Sequence, residues 1–276
     1  MKILLVDNGS LEPAATLGLR ELARRITTRI GHEVWPVSLA HSHQVPAVDL
    51  LGLPAVIVED FLRTQLVAGE TDFVILPFFI GPSRAISVYL PGVAAKLRAA
   101  HPALRVRIAP VLHRAGETFL ARMLADRVRA MLKAEFAPGD SMRVAVVDHG
   151  SPVRAVAQAR DEVAAQLSLE LGDAVAGVVP CSMERRPEPD YAFNEPLLAD
   201  LLAHEPWNSG GVIVAQLFLQ PGRHAGAEGD IATICAQARA AGPSLQMVRT
   251  EPLATHPLMV ELLAQRWMEV TAADAD

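Results

Sequence analysis

Two histidines in the second half of the chain stand where apolar runs give way to small polar residues. His149 lies in Val147-Asp148-His149-Gly150-Ser151 and His224 in Pro221-Gly222-Arg223-His224. Neutral imidazole is a good ligand for Co, Ni, Fe and Zn. Its ordinary pKa, about 6.5, also lets it accept protons near neutrality. A pair of imidazoles at one place can therefore hold a divalent cation and take up protons. Two protein ligands, instead of a closed set of four, suit a metal that must leave again. The two histidines are 75 residues apart, so everything depends on which elements carry them.

Those elements alternate regularly. In the second half the sequence predicts strands over 143–147, 174–179, 211–219 and 245–249, with helices over 153–171, 196–204, 230–241 and 257–270. The strand segments are rich in Val, Ile and Leu without polar alternation, which suits strands covered on both faces. Strand–helix alternation argues for a parallel sheet with right-handed crossovers. Ligands bind such sheets outside the carboxyl ends of the strands. The loops after the first and third strands, which carry His149 and His224, should therefore share one sheet edge.

The chain also repeats itself. ILLVDNGS at 3–10 matches VAVVDHGS at 144–151, an offset of 141. PFFIGPSRAI at 77–86 matches QLFLQPGRHA at 216–225, and LARMLADR at 120–127 matches MVELLAQR at 259–266, both at 139. A period near 140 is too long for a solenoid and indicates duplication. The expected domains are 1–138 and 139–276, joined by a Pro/Gly-containing linker at 136–140. The fold class is α/β, with two tandem doubly wound parallel-sheet domains in a pseudo-twofold arrangement and a cleft between them.

Composition narrows the function classes. Of 276 residues, 51% are hydrophobic and 20% charged, and the net charge is -6. A duplex binder would show a basic excess or stripe, so nucleic acid is excluded as a partner. The longest apolar stretches are only strand-length, which argues against a membrane span. The single Lys before four apolar residues in MKILLV is too little for a signal peptide. The two cysteines, Cys181 and Cys235, form no C-x-x-C and read as reduced thiols of a cytoplasmic protein.

VVDHGS after the first strand and LFLQPGRHAGAEGDI after the third resemble the sirohydrochlorin cobaltochelatase family, the small class II chelatases. The stretch PLATHPL at 252–258 resembles that family's final strand–helix junction. The resemblance covers the whole chain as a duplicated form. It implies insertion of a divalent metal, Co²⁺ or Fe²⁺, into sirohydrochlorin in cobalamin or siroheme biosynthesis. His149 and His224 would then be the catalytic and metal-handling pair. The metal and the tetrapyrrole are substrates, and no permanent cofactor is expected. In the first half Asn8 replaces the first histidine and Ala85 the second, so one active site per chain is implied, in the second half. Candidate acidic proton relays are Glu184 and Glu228.

A polycarboxylate substrate calls for cationic and amide donors. Arg223, Arg185, Asn8, Ser10 and Ser151 are the candidate substrate-binding residues, and Tyr191 offers a possible ring contact. Asn194 reads as a helix N-cap beside Pro196. His41 and His43 form an H-x-H that is a candidate accessory metal contact, and His256 reads as a cap or cleft residue. A monomer is preferred, because duplication supplies what shorter relatives obtain by dimerising. The alternatives are a non-catalytic tetrapyrrole- or metal-binding module of the same fold, a chelatase for another macrocycle, and a nucleotide-dependent α/β enzyme. The last is disfavoured by the absence of G-x-G-x-x-G and G-x-x-x-x-G-K-[ST] sequences.

Overall fold

The computed structural model describes residues 1–137, 139 and 141–272. Pro138 and Asp140 of the expected linker, and the last four residues, lie outside the described residues. The first repeat runs β1 (Lys2–Asp7), α1 (Pro13–Ile30), β2 (Val34–Ser38), α2 (Val58–Val67), β3 (Asp72–Pro77), α3 (Leu90–Ala100), β4 (Arg105–Ile108) and α4 (Phe119–Glu135). The second runs β5 (Met142–Asp148), α5 (Arg154–Leu171), β6 (Gly177–Ser182), α6 (Leu198–Ala203), β7 (Gly210–Gln216), α7 (Asp230–Ala241), β8 (Leu245–Arg249) and α8 (Pro257–Ala272).

Each repeat builds one four-stranded, wholly parallel sheet, ordered β2-β1-β3-β4 and β6-β5-β7-β8. In both, the first strand lies at the centre, flanked by the second and third. Ile3 to Val6 of β1 and Val144 to Val147 of β5 are all buried, as a sheet covered on both faces requires. Full burial of each Val, Leu or Ile among them contributes about 1.5–3 kcal/mol. The two central strands therefore anchor their sheets, and with them the loops that leave their carboxyl ends.

β6 begins later than the apolar run 174–179 suggests. Residues 172–174 form a 3₁₀ turn, and the strand continues through Cys181 and Ser182. Ser182 is fully buried because Asp148, its partner in register on β5, accepts a hydrogen bond from it at 2.6 Å. A polar strand end that is satisfied this way leaves no hydropathy signal.

The compact units do not share their limits with the sequence repeats expected at 1–138 and 139–276. One unit comprises Met1–Arg114 together with Ala254–Asp276, and the other comprises Ala115–Leu253. In the first, α8 buries Met259, Leu262 and Leu263 and packs against α1 and β3. In the second, α4 buries Leu120, Met123 and Leu124 and packs against α5 and β7. The closing helix of each repeat thus belongs to the other repeat's unit. An amphipathic helix specifies that one face must be covered, but not which sheet covers it.

α8 is held by a buried charge as well as by apolar packing. Arg266 is fully buried and donates to the carbonyls of Val111 and Leu112, each at 2.9 Å, and to Glu269 at 3.2 Å. His256 accepts the Leu258 amide at 3.2 Å, so it caps the start of this helix. Among the described residues, no helix is long and apolar enough to cross a membrane.

Candidate active site

The carboxyl ends of β5 and β7 are adjacent because the two strands pair directly. The loops that follow them are therefore neighbours, and the two histidines meet. The rings of His149 and His224 lie edge to face with centroids 4.6 Å apart. Both imidazoles remain partly open to solvent.

Gly150 fixes the His149 loop. It sits at φ +91°, a conformation that favours glycine, and a Cβ there would fall 1.9 Å from the Glu184 carbonyl oxygen. That close approach lets the Glu184 amide donate to the His149 carbonyl at 3.2 Å. The loop after β5 and the segment after β6 are thereby laid side by side, and Glu184 Oε1 comes within 3.5 Å of His149 Nε2. The other ring nitrogen, Nδ1, lies 3.0 Å from the Gly150 carbonyl oxygen. Both neighbours only accept, and the Gly150 carbonyl is at hydrogen-bond distance while Glu184 is farther off, so the proton is assigned to Nδ1 and the lone pair to Nε2. A proton taken up at Nε2 then arrives beside the Glu184 carboxylate and forms an ion pair.

His224 sits on an irregular loop that ends where α7 begins. Asp230, the first residue of α7, accepts a hydrogen bond from His224 Nδ1 on Oδ2 at 2.6 Å. The Asp230 and Ile231 amides bond back to the carbonyls of Arg223 and His224. Arg249, at the end of β8, donates to the Gly226 and Ala227 carbonyls at 3.1 and 2.9 Å. Gly229 allows the chain to close on itself, since a Cβ there would lie 2.5 Å from the His224 carbonyl oxygen. With Nδ1 committed to Asp230, Nε2 is again the free lone pair, and the carboxylate stabilises the imidazolium that protonation produces.

Each imidazole thus has its own carboxylate. Glu184, one of the two acidic candidates, is the partner of His149. The other, Glu228, is on the His224 loop but is not the partner of that histidine, which is Asp230. The available signal for Asp230 was the Asp230-Ile231 pair that ends LFLQPGRHAGAEGDI, since the helix start it marks folds back onto the loop. Among the described residues, no group of three or more His, Cys, Asp or Glu side chains is placed to hold a metal ion.

The remaining candidates fall into different places. Ser151 is engaged within the fold. Its amide donates to Asn194 Oδ1 at 2.9 Å and its hydroxyl oxygen accepts the Val153 amide at 3.1 Å. Asn194 caps no helix: it is fully buried and clamps both the amide and the carbonyl of Ser151. Arg185 pairs with Glu195 at 2.8 Å and donates to the Arg186 and Pro187 carbonyls. Arg223 is 81% exposed, with Nε 4.0 Å from Asp230. Arg186 stacks over Tyr191, 5.4 Å from the ring centroid, and Arg154 over Phe193 at 4.6 Å. Asn8 and Ser10 lie in the other unit, after β1, where the Ser10 hydroxyl accepts the Glu12 amide at 3.0 Å. His41 has φ 63° and precedes a 3₁₀ turn at Ser42–Gln44, also in that unit.

The first unit keeps the frame of the site and lacks its chemistry. Gly9 approaches the Ala40 carbonyl as Gly150 approaches that of Glu184, and the Ala40 amide donates to Asn8 as the Glu184 amide does to His149. The His149–Glu184 pair therefore corresponds to Asn8 and Ala40. At the offset of 139, His224 and Asp230 correspond to Ala85 and Pro91.

Burial sets the electrostatics beneath the loops. It pushes the Asp148 carboxyl above its usual range, against the Ser182 hydroxyl, Arg160 and the Gly150 amide, which all favour the charged form. Asp7, at the same place in the first unit, is pushed up to about 6 by burial, against hydrogen bonds from Ser38 and Gly9. Cys181 and Cys235 are free and buried, and burial raises both thiols, which makes them poor nucleophiles.

The family model described as CbiX matches residues 2–131 and, a second time, residues 143–270. The chain belongs to the CbiX family. Its match in two copies fits the duplication, and the fold of this CbiX-family chain is that of known chelatases. SirB from Bacillus subtilis, solved with Fe³⁺, has a TM-score of 0.71 at 16% identity, covering 100% of this chain and 98% of that one. The sirohydrochlorin chelatase SirB from Bacillus subtilis subspecies spizizenii, in complex with cobalt, has a TM-score of 0.71 at 14% identity, with coverage of 100% and 98%. CbiX, described as the terminal enzyme for biosynthesis of siroheme in denitrifying bacteria, has a TM-score of 0.62 at 18% identity, with coverage of 98% and 99%. At these identities the likeness establishes the fold. A comparison with curated protein sequences found no match.

Proposed function

We propose that this CbiX-family chain inserts a divalent metal, Co²⁺ or Fe²⁺, into a sirohydrochlorin-type tetrapyrrole, and that His149 and His224 do the chemistry. The observation that carries this reading is the pair of imidazoles with ring centroids 4.6 Å apart, each backed by its own carboxylate. Insertion breaks two pyrrole N–H bonds and forms metal–nitrogen bonds without any redox change. It needs two proton acceptors and a transient resting place for the cation. The Nε2 atoms of His149 and His224 supply both, and Glu184 and Asp230 stabilise the imidazolium formed on each. The metal is substrate and product in this reaction, so no resident metal is required. The binding of Fe³⁺ and cobalt by SirB relatives supports a metal-handling site of this type.

Arg223 lies on the His224 loop, Arg154 opens the helix after the His149 loop and Arg186 follows Glu184 by two residues; among the described residues none of the three has a carboxylate partner closer than 4.0 Å, so they are available to a polycarboxylate. Arg185 is in contact with Glu195 and two backbone carbonyls. A cytoplasmic setting suits two free, buried thiols, and a monomer suits a chain that holds both repeats.

The test is anaerobic absorbance spectroscopy of sirohydrochlorin with Co²⁺ or Fe²⁺. Wild-type protein is expected to speed insertion above the spontaneous rate, and His149→Ala and His224→Ala to lose most of that gain. A spectral shift without insertion would make the chain a binding module instead. Faster insertion into protoporphyrin than into sirohydrochlorin would reassign the macrocycle.

A further inference from the structure

At one position in its first helix, the second unit buries a guanidinium where the first unit buries a leucine. Arg160, on α5, is 1% exposed. α1 and α5 start at Pro13 and Arg154, so its repeat mate is Leu19, which is also buried. Below that position the two units are built alike, with Asp7 bonded to Ser38 in one and Asp148 bonded to Ser182 in the other. A leucine therefore completes this arrangement well enough for folding. Burying a guanidinium instead carries a desolvation penalty, which its partners must offset.

Those partners are specific. Arg160 donates through Nη1 to the Ser182 hydroxyl and, at 3.2 Å, to the Asn194 carbonyl. Through Nη2 it donates to the Phe193 carbonyl at 3.2 Å, and Nε and Nη2 both reach Asp161. Asp148 lies 3.7 Å from Nη1 and accepts a hydrogen bond from the Ser182 hydroxyl at 2.6 Å. One side chain thereby fastens the end of β5, the end of β6 and the segment Pro189–Asn194.

Each fastened point is one short step from a site group. His149 follows Asp148 directly. Glu184 lies two residues after Ser182. Asn194 holds the Ser151 amide and carbonyl, two residues beyond His149. From this geometry we infer that Arg160 is a positioning residue, which sets the approach of Glu184 to His149 by locking the strand ends that carry them. The inference rests on the metal-insertion reading for its kinetic consequence, though not for its structural one.

The experiment compares Arg160→Lys and Ser182→Ala with wild type, alone and in the Glu184→Gln background. Supporting groups of this kind are worth about 10–100-fold in activity or metal affinity. Arg160→Lys is expected to lower kcat for insertion by that factor, with KM for the tetrapyrrole little changed and the protein still folded. Ser182→Ala, which keeps the arginine, is expected to show a smaller loss of the same kind. In the Glu184→Gln background the loss should nearly vanish, because the pair being positioned is already broken. Wild-type kcat in folded Arg160→Lys and Ser182→Ala, or losses that simply add to that of Glu184→Gln, would overturn the inference.

If wild type itself inserts no metal, the functional reading fails and the positioning role is read separately. Co²⁺ is then titrated without tetrapyrrole while the His149 imidazole nitrogens are followed by NMR. Arg160→Lys is expected to weaken Co²⁺ binding about 10-fold and to alter the His149 resonances. Unchanged affinity and resonances would sink it.

Discussion

Asp230 Oδ2 and His224 Nδ1 lie 2.6 Å apart, across six residues of loop. A contact that short between a carboxylate and an imidazole is charge-assisted and fixes which nitrogen is free. Asp230→Asn keeps the size and loses the charge. It is expected to lower the insertion rate by about 10–100-fold, the usual range for the outer partner of a metal-handling histidine. Initial rates check this, and tautomer-sensitive NMR of the His224 ring checks the cause. An unchanged rate would show that Asp230 serves the loop alone.

Gly150→Ala tests the turn that brings Glu184 to His149. The added methyl would lie 1.9 Å from a backbone oxygen, at a φ that L-residues resist. A loss on the order of 3 kcal/mol of stability is expected, together with most of the activity. Thermal unfolding and insertion assays on the folded fraction read the two effects separately.

Asp7 gives a pH-dependent prediction outside the site. Its carboxyl sits at about 6 in the folded chain, above its ordinary 3.8. Between those values the folded state binds the proton more tightly than the unfolded state does. Wild-type stability therefore falls as pH rises through this window, and the cost remains in full above it. Asp7→Asn can still accept from Gly9 and Ser38 but has nothing to ionise. Its stability relative to wild type is expected to rise by about 2–3 kcal/mol between pH 4 and pH 7. Denaturant titrations across that range would show it, and a flat difference would contradict it.

Arg266→Met tests the anchor of α8. The change leaves the Val111 and Leu112 carbonyls without this donor and removes a partner of Glu269. A cost of about 3 kcal/mol is expected, because buried acceptors are left unsatisfied. Chemical denaturation gives the number, and a change below about 1 kcal/mol would mean that water or neighbouring donors replace the guanidinium.

The two histidines and their strands were legible because each signal is local. A run such as Val144 to Val147, ended by Asp148-His149-Gly150, announces a buried strand and its loop within a few residues. The adjacency of β5 and β7 then follows from how parallel sheets are wound. Arg160 and Asn194 were not legible, since nothing in the flanking sequence separates a buried guanidinium from a solvated one or a clamp from a cap. Their roles exist only once β5, β6 and the 189–194 segment converge. Arg185 and Ser151 also have partners within the fold, Glu195 and backbone for one and Asn194 and the Val153 amide for the other, which no local signal announces. Repeat arithmetic located the duplication, with offsets of 141 at the first strand and 139 at the third. It could not reveal which sheet each closing helix covers.

Because α4 belongs with the second sheet and α8 with the first, a cut in the chain between the repeats would not release two independent domains. Each fragment would keep a helix it cannot use and lack the one it needs, and each would leave an apolar stripe bare. Mixing the two fragments would restore both units at once, by mutual exchange. The peptide link at the midpoint of this chain therefore joins two halves that already depend on each other, and it turns an encounter between separate molecules into a step within one.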